Sequence, residues 1–222
     1  MVEGRGKAAP FAFPGIEMAD HIIRDVASLE ALYGEVSLGA QLKEMPYLHP
    51  HYAALIKASP FAILATSGPG GLDASPRGDP AGFVEILDDR TLLLADRRGN
   101  NRLDSLRNVI ADPRVALLFL VPGVGETLRV NGRAEISVAP DLMARLAVGG
   151  KEPRSVLVIH IDTVFFQCSR ALVRSELWNP DRHVERASLP SPGQMLAATS
   201  EARIDGEAYD RELPDRLKVT LY

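Results

Sequence analysis

The spacing of apolar residues changes along the chain, and it predicts helices near the start and strands in the middle. Between residues 16 and 33, apolar side chains recur every three or four positions, which is typical of an amphipathic helix. A second helix is predicted over residues 49–58, ended by Pro60. The next segments, FAILAT, SGPGG and LDASPRGD, predict a strand, a tight turn and a second strand.

Further strand-like runs follow, separated by turns and by short helices predicted over residues 103–111 and 140–148. These runs are FVEIL, TLLLAD, VALLFLV, ETLRVNGRAEIS and SVLVIHIDTVFFQC. The pattern is that of six or seven antiparallel strands with hairpin connections. Closing such a sheet into a barrel removes its exposed edges. The sequence therefore predicts a mainly β fold with flanking helices.

Three regions are expected from these patterns. Residues 1–58 form an N-terminal leader with helices, residues 59–178 form the barrel domain, and residues 179–222 form a C-terminal arm. The last forty or so residues are polar and rich in proline and charge, and they hold too little apolar material for a separate core. We therefore expect the arm to wrap around the barrel or around a partner subunit.

Composition narrows the class of protein. The 222 residues carry a net charge of -4, so the chain has no overall positive charge that would favour binding to nucleic acid. The single cysteine, Cys168, excludes an internal disulfide and fits a reducing compartment. No run approaches the roughly 18 apolar residues of a membrane span, and the first fifteen residues lack the apolar core of a signal peptide. We expect a soluble cytoplasmic protein.

The stretch from Asp96 to Asn108, DRRGNNRLDSLRN, is the strongest candidate for chemistry. It follows a buried-type strand, turns through glycine and asparagine, and opens a helix while carrying four arginines. Backbone N–H groups at a helix start and guanidinium groups both bind phosphate. The alternative is a solvated basic turn between a strand and a helix.

Other motifs give weaker signals. His49 and His51 are two residues apart and do not share a helix face, so a metal site is not favoured. His160 and Asp162 point to the same strand face and are interpreted as a cross-strand polar pair. The sequence has no G-x-G-x-x-G after a strand and no GxxxxGK[ST], so the two commonest nucleotide-binding loops are missing. It also has no G-x-S-x-G, the motif that carries the nucleophilic serine of α/β-hydrolases.

Residues 61–136 resemble the pyridoxamine 5'-phosphate oxidase-like (PPOX-class) FMN-binding split-barrel family. The matching pieces, in order, are FAILATSGPGGLDASPRGD, TLLLADRRGNNRLDSLRN, PRVALLFLVPG and ETLRVNGRAEI. With RALVRSELW, the resemblance covers about two-thirds of the chain. It is closer to the broad, uncharacterised group of PPOX-class flavoproteins than to pyridoxamine 5'-phosphate oxidase itself. It implies a six-stranded antiparallel split β-barrel and a homodimer with FMN at the subunit interface.

The resemblance also implies a phosphate site. Arg77 corresponds to the family arginine that approaches the FMN phosphate. Asn101 and Arg102 stand where the oxidases carry a basic pair, so one charge is missing here. Arg98 or Arg77 is expected to compensate for that charge.

The flavin ring and ribityl chain are implied to lie between two strand ends. Ser75, Gly78 and Asp79 would line them from the second strand. Asp96 and Arg97 would meet them from the end of TLLLAD.

Four further residues are implied to contribute to the cleft from elsewhere. Thr127 stands at a position that is usually glutamine and contacts the flavin from the second subunit. Because threonine is shorter, Arg129 could reach instead. Arg174 and Trp178 resemble residues near the family's C-terminal tryptophan, which borders the cleft.

The resemblance implies an FMN-dependent oxidoreductase that acts on a small substrate or on a second nicotinamide or deazaflavin cofactor. No residue is assigned as catalytic, since the flavin carries the redox chemistry. Only Arg170 and His183 are conceivable ligands for the second phosphate of pyridoxamine phosphate. The alternatives are a non-catalytic flavin-binding or sensing protein and a haem-binding barrel. The candidate haem ligands are His49, His51, His160 and His183.

Overall fold

The structure is a computed structural model that describes residues 21–222. The chain divides into two compact units, the second of which is Leu42–Tyr222. The first unit is described from residue 21 to 41 and contains a helix that ends at Gly34, whose φ of 75° is in the left-handed region. The leader expected over residues 1–15, and the predicted helix start at residues 16–20, lie outside the described part of the chain.

Eight α-helices are present within residues 21–222. They are α1 (Val26–Tyr33), α2 (Leu38–Leu42), α3 (Pro50–Ala58), α4 (Asp104–Ala111), α5 (Pro140–Arg145), α6 (Arg170–Ser175), α7 (Pro192–Thr199) and α8 (Gly206–Thr220). Proline occupies the first turn of three of them, where its missing N–H costs no hydrogen bond. None of these helices combines the length and apolar character needed to cross a bilayer.

Seven antiparallel strands form one sheet in the order β2-β1-β5-β6-β7-β4-β3. They are β1 (Phe61–Gly68), β2 (Gly71–Gly78), β3 (Val84–Ile86), β4 (Thr91–Asp96), β5 (Arg114–Leu120), β6 (Thr127–Ser137) and β7 (Ser155–Gln167). The sheet is curled into a half-barrel with flanking helices, consistent with a split barrel.

A short connection forces this curl. β2 and β3 are the two edge strands of the sheet, yet only residues 79–83 separate them in sequence. A flat sheet of seven strands would separate its edges by about 29 Å. The link spans at most about 22 Å when fully extended. The sheet must therefore bend so that its two ends approach each other.

The six strands implied by the family resemblance were too few, since the sheet has seven, within the six or seven that the sequence pattern predicted. The run FVEIL contains β3, a three-residue edge strand in which Val84 and Ile86 pair with Leu94 and Leu92 of β4. It covers the side of β4 that faces away from β7. Within the described residues β3 does not pair with β2, so the sheet is open between its edges and not closed by hydrogen bonds.

β4 is buried on both faces. On the inner face Leu92 and Leu94 join the main core, which also includes residues from every other strand except β2. On the outer face Leu93 and Ala95 pack in a second cluster with Leu146 and the helix α5. The strand that leads into the arginine-rich loop is thus the most enclosed strand of the sheet.

A β-bulge in β6 requires glycine. The register between β6 and β7 shifts at Asn131 and Gly132. A Cβ at position 132 would lie 2.2 Å from the backbone oxygen of His160, so no other residue fits there without movement. The bulge bends β6 and thereby contributes to the curl of the sheet.

The C-terminal arm is more ordered than its composition indicates. Residues 179–222 were expected to form a polar, proline-rich arm, whereas the structure contains two helices there, α7 and the fifteen-residue α8. α7 begins with a capping box between Ser191 and Gln194. α7 and α8 pack so closely that a Cβ on Gly193 would lie 2.0 Å from the backbone oxygen of Gly206. Glycine at position 193 permits this close approach.

The core assignment predicts the effect of truncating two leucines. Leu64 is fully buried in β1, whereas Leu72, near the start of β2, is 90% exposed. We expect Leu64→Ala to lower the free energy of unfolding by about 2–5 kcal/mol, because it leaves a cavity in the core. Leu72→Ala should change it by less than about 0.5 kcal/mol. Urea denaturation of both variants measures the difference, and similar losses would contradict the assigned burial.

Candidate functional site

A cavity of about 540 Å³ lies where the open ends of the sheet approach each other. Its walls come from the second half of β2, the end of β4, the loop of residues 97–103, the first turn of α4 and Arg154. Volumes of about 300–1,000 Å³ are usual for cavities that bind small molecules and cofactors. The stretch singled out in the sequence therefore lines a concave site.

Arg77 joins the two sides of this cavity. Its Nη1 lies 2.8 Å from Oδ1 of Asp96, which ends β4. Its Nε donates to the hydroxyl of Ser75 on the same strand, at 3.3 Å. The side chains of Arg77 and Asp96 are 18% and 15% exposed, so the ion pair is partly shielded from water. It connects β2 to β4 across the open side of the sheet.

A second ion pair lies beside the first. Nε of Arg97 donates to Oδ2 of Asp79 at 2.8 Å, and its Nη1 donates to the backbone oxygen of Leu146 at 2.9 Å. Oδ1 of Asp79 accepts a hydrogen bond from the hydroxyl of Tyr222 at 2.5 Å. The Asp79 side chain is only 5% exposed. Its carboxylate accepts hydrogen bonds from two donors in different parts of the chain, Arg97 and Tyr222.

The N-terminus of α4 opens at this cavity. Its capping residue, Leu103, provides no side-chain hydrogen bond to the first turn. Backbone N–H groups of that turn are thus available to an anion, and the helix dipole favours negative charge there. The hydroxyl of Ser105 in this turn donates to Oδ2 of Asp73 at 2.5 Å and lies 3.0 Å from the hydroxyl of Ser75.

The loop between β4 and α4 is shaped by its asparagines. Asn101 has a φ of 60°, a conformation that asparagine tolerates better than most residues. The side chain of Asn100 accepts a hydrogen bond from the backbone N–H of Arg102 at 3.0 Å. Arg102 pairs with Asp104 at 2.7 Å, and both side chains are largely exposed to solvent.

Eight of the residues proposed from sequence come together around this one cavity. They are Ser75, Arg77, Gly78, Asp79, Asp96, Arg97, Asn101 and Arg102. They come from the end of β2 and from the end of β4 with the loop after it, two parts of the sheet that only the fold brings together.

The other four lie away from the cavity in a single chain. Thr127 is buried at the start of β6, opposite Gln167. Arg129 is exposed, with its guanidinium carbon 5.4 Å from the centre of the Phe165 ring. The indole N–H of Trp178 donates to the backbone oxygen of Val124 at 2.8 Å. Like these three, the exposed Arg174 does not line the cavity, and the roles of all four remain predictions.

Sequence reasoning did not assign four residues that the structure places at or beside the cavity. These residues are Asp73, Ser105, Arg154 and Tyr222. Ser105 lies inside the arginine-rich stretch, so a hydroxyl side chain at the start of the predicted helix could have indicated it. Arg154 and Tyr222 are distant in sequence, and no local pattern connects them to the loop.

A second cavity, of about 590 Å³, has a mostly apolar lining that includes Tyr52, Phe166 and the two histidines of the His-x-His pair. Nδ1 of His49 accepts a hydrogen bond from the backbone N–H of His51 at 3.2 Å. His49 is the N-cap of α3, which gives that imidazole a structural role. Among residues 21–222, no group of three or more histidine, cysteine, aspartate or glutamate side chains is arranged to hold a metal ion.

Comparison with known proteins agrees with the fold. The sequence profile of the pyridoxamine 5'-phosphate oxidase family matches residues 48–168, more than half of the chain. The chain belongs to this family. The match runs from just before α3 to the end of β7, so it includes both strand ends, the loop and the helix that line the cavity. No match was found among curated proteins.

Several solved structures are similar to this member of the pyridoxamine 5'-phosphate oxidase family. HupZ of Group A Streptococcus is 19% identical, with a TM-score of 0.44, over 55% of this chain and 95% of that chain. A pyridoxamine 5'-phosphate oxidase-like protein of Lactobacillus delbrueckii is 22% identical, with a TM-score of 0.43, over 55% and 95%. General stress protein 26 of Bacillus anthracis is 17% identical, with a TM-score of 0.40, over 51% and 88%.

The contact between Tyr222 and Asp79 predicts a pH effect. The hydrogen bond to the Asp79 carboxylate is the main cause that raises the pKa of Tyr222 above the ordinary phenol value. Because the folded chain holds this proton more tightly, the contact stabilises fully below the unfolded pKa of about 10. The contribution is lost as pH rises through the higher folded pKa.

Phenolate absorbance during alkaline titration tests this assignment. Tyr222→Phe should remove one of the late-titrating phenols, and Asp79→Asn should move that titration back towards the ordinary value. A Tyr222 titration that does not respond to Asp79→Asn would contradict the contact.

Proposed function

We propose that the cavity binds FMN and that the protein is an FMN-dependent oxidoreductase acting on a small substrate or a second cofactor. The family commonly binds flavin, and the cavity has a polar end and an apolar wall that suit this molecule. The protein's own residues bind and orient the cofactor. When bound, FMN supplies the electron-transfer chemistry of its ring.

The observation that carries this proposal is the phosphate end of the cavity. The first turn of α4 offers backbone N–H groups without a side-chain cap, directly beside Arg98 and Arg102 of the loop. A phosphate at such a position is favoured by the helix dipole and by guanidinium groups at once. The sequence pattern of the stretch from Asp96 to Asn108 supports the same proposal, because it also indicated a phosphate site.

The remainder of the cavity suits a flat ring. Phe83, Leu94 and Leu106 contribute apolar surface to the wall. β2 is an edge strand that pairs only with β1, so half of its backbone N–H and C=O groups are not used within the sheet. These groups are available to bind the polar edge of an isoalloxazine ring.

The two ion pairs, Arg77–Asp96 and Arg97–Asp79, hold the walls in place around this volume. Their charges are already balanced, so they define the width of the site without adding net charge. Among the described residues no side chain is assigned as a general acid or base.

We further propose that the working form is a homodimer with FMN at the subunit interface. Arg129 and Arg174 are exposed, and both lie away from the cavity of their own chain. A second subunit could therefore bring them to the cavity of its partner. Thr127 and Trp178 would lie in the same interface region.

A flavin-binding or sensing protein without turnover is the second candidate. It is favoured by one observation, which is that Tyr222 of the C-terminal arm contacts both Asp79 and Arg97 at the cavity. An arm that reports cofactor binding would need such a contact. Reduction of the bound flavin by NADPH or NADH, followed by reoxidation over many cycles, distinguishes an enzyme from a sensor.

The first prediction concerns the cofactor itself. The purified protein should show the two flavin absorption bands, or should gain them when FMN is added. It should bind FMN at least about tenfold more tightly than riboflavin, because riboflavin lacks the phosphate and its charge-assisted hydrogen bonds. Fluorescence titration measures both affinities. A colourless protein that does not bind added FMN would overturn the proposal.

The second prediction compares two matched arginines. Arg102 at the cavity and Arg114 outside it each pair with an aspartate two positions away, and both are largely exposed. Arg102→Ala should lower FMN affinity by about tenfold or more, whereas Arg114→Ala should leave it unchanged. Neither substitution should shift the unfolding midpoint much, as both side chains are solvated. Equal effects on FMN binding would count against the assigned phosphate end.

A further inference from the structure

The second cavity, of about 590 Å³, differs from the first in its charge. It lies between the segment before α3, the first turns of α3, the start of β6 and the end of β7. The first cavity is lined by five arginines, whereas the described residues around the second include neither arginine nor lysine. Glu126 is the one carboxylate in this lining, which is otherwise mostly apolar or aromatic.

The imidazole of His49 does not offset the charge of Glu126. Its Nδ1 accepts the backbone N–H of His51 at 3.2 Å, so this nitrogen carries no proton and the ring is neutral. Glu126 is exposed, and its carboxylate has no hydrogen-bond or ion-pair partner in the part of the chain that the structure describes. The carboxylate is therefore available to a cation that enters the cavity.

Aromatic rings supply much of the remaining wall. The ring centres of His49 and Tyr52 are 6.2 Å apart with an interplanar angle of 70°, and those of Tyr52 and Phe166 are 6.2 Å apart at 53°. The rings are thus tilted against one another and do not cover each other's faces. The Tyr52 hydroxyl donates to the backbone oxygen of Lys43 at 2.7 Å, which fixes that ring in place. Faces of such rings attract cations.

The chain itself already places cations against this aromatic region. Nζ of Lys43 lies 5.2 Å from the centre of the Phe166 ring and 5.6 Å from that of Phe165. The guanidinium carbon of Arg129 lies 5.4 Å from the centre of the Phe165 ring. These are usual cation–π distances. Neither cation lines the cavity, so the cavity keeps its own acidic group.

From this arrangement we infer that the second cavity binds an organic ammonium ion that has an apolar body. The apolar body would be buried against Met45, Leu55 and the rings, and the ammonium group would be attracted by Glu126 and by the aromatic faces. An organic anion of the same shape would meet an uncompensated carboxylate. No residue of the first cavity takes part, so this inference does not rest on the flavin proposal.

The test uses the full chain and three ligands of similar shape and different charge. Benzyltrimethylammonium is the cation, neopentylbenzene is its uncharged isostere, and phenylmethanesulfonate is the anion. Isothermal titration calorimetry measures the three affinities. Emission of Trp178, the single tryptophan, gives a second readout, because its indole bonds the backbone oxygen of Val124, two residues before Glu126. The ammonium ion should bind at least about tenfold more tightly than the sulfonate.

Two substitutions separate charge from ring contact. Glu126→Gln should weaken ammonium binding by about three- to tenfold, because the attraction of the carboxylate is lost, and it should leave neopentylbenzene binding unchanged. Phe166→Leu retains an apolar side chain but removes a ring, so it should weaken ammonium binding by about two- to fivefold and neopentylbenzene binding by less.

Glu135→Gln is the matched control. Glu135 is an exposed glutamate on β6 that lies outside the cavity, so its substitution should change none of the affinities. Because Glu126 and Glu135 are both exposed, neither glutamine variant should shift the unfolding midpoint.

Four results would overturn the inference. They are an ammonium affinity that does not respond to Glu126→Gln, an equal loss for the ammonium ion and its uncharged isostere, a sulfonate that binds as tightly as the ammonium ion, and a similar loss in Glu135→Gln. A second copy of the chain is the alternative occupant. An ammonium affinity that falls as the protein dimerises, followed by analytical ultracentrifugation, would show that a partner covers the cavity and would also overturn the inference.

Discussion

Two arginine–aspartate pairs substitute for the strand pairing that the curled sheet lacks. β2 and β3 are not hydrogen-bonded to each other in the part of the chain that the structure describes, so the sheet has an open side. Arg77–Asp96 and Arg97–Asp79 cross that side next to the cavity. A partly buried pair contributes little net stability, but removal of one partner leaves an unpaired charge in a shielded place. The shape of the cavity therefore depends on both members of each pair.

This arrangement divides the arginines of the site into two kinds. Arg77 and Arg97, each paired with an aspartate across the open side of the sheet, fix the distance between strand ends. Arg98 and Arg102, in the loop after β4, are exposed and do not connect two strands. Residue type alone does not distinguish the two kinds, because the difference lies in what each guanidinium contacts after folding.

Much of the architecture could be predicted from local pattern, because alternation of apolar residues and turn signals are properties of short segments. The strands around Leu64 and Leu94 and the helix that begins at Asp104 were located to within a residue or two. The loop after Asp96 was also recognised from its glycine, asparagines and arginines. That this loop lines a cavity could be seen only in the folded structure.

The features that sequence reasoning missed depend on contacts between distant residues. Arg154 reaches the loop because β7 pairs with β4 in a register that sets Ser155 opposite Asp96, and no local pattern encodes that register. The helix α8 has a weak signal in the sequence, because it is highly charged and contains Pro214. Its close contact with α7 through Gly206 involves residues of two segments. The short strand β3 was located within the run FVEIL, and only the count of six strands implied by the family resemblance was too low.

The double-sided burial of β4 has a consequence for local motion. Backbone amides of that strand can exchange with deuterium only when the surrounding sheet opens, whereas amides of residues 97–103 can exchange through small loop fluctuations. The cavity is therefore lined on one side by a rigid strand end and on the other by a loop whose backbone can adjust on its own.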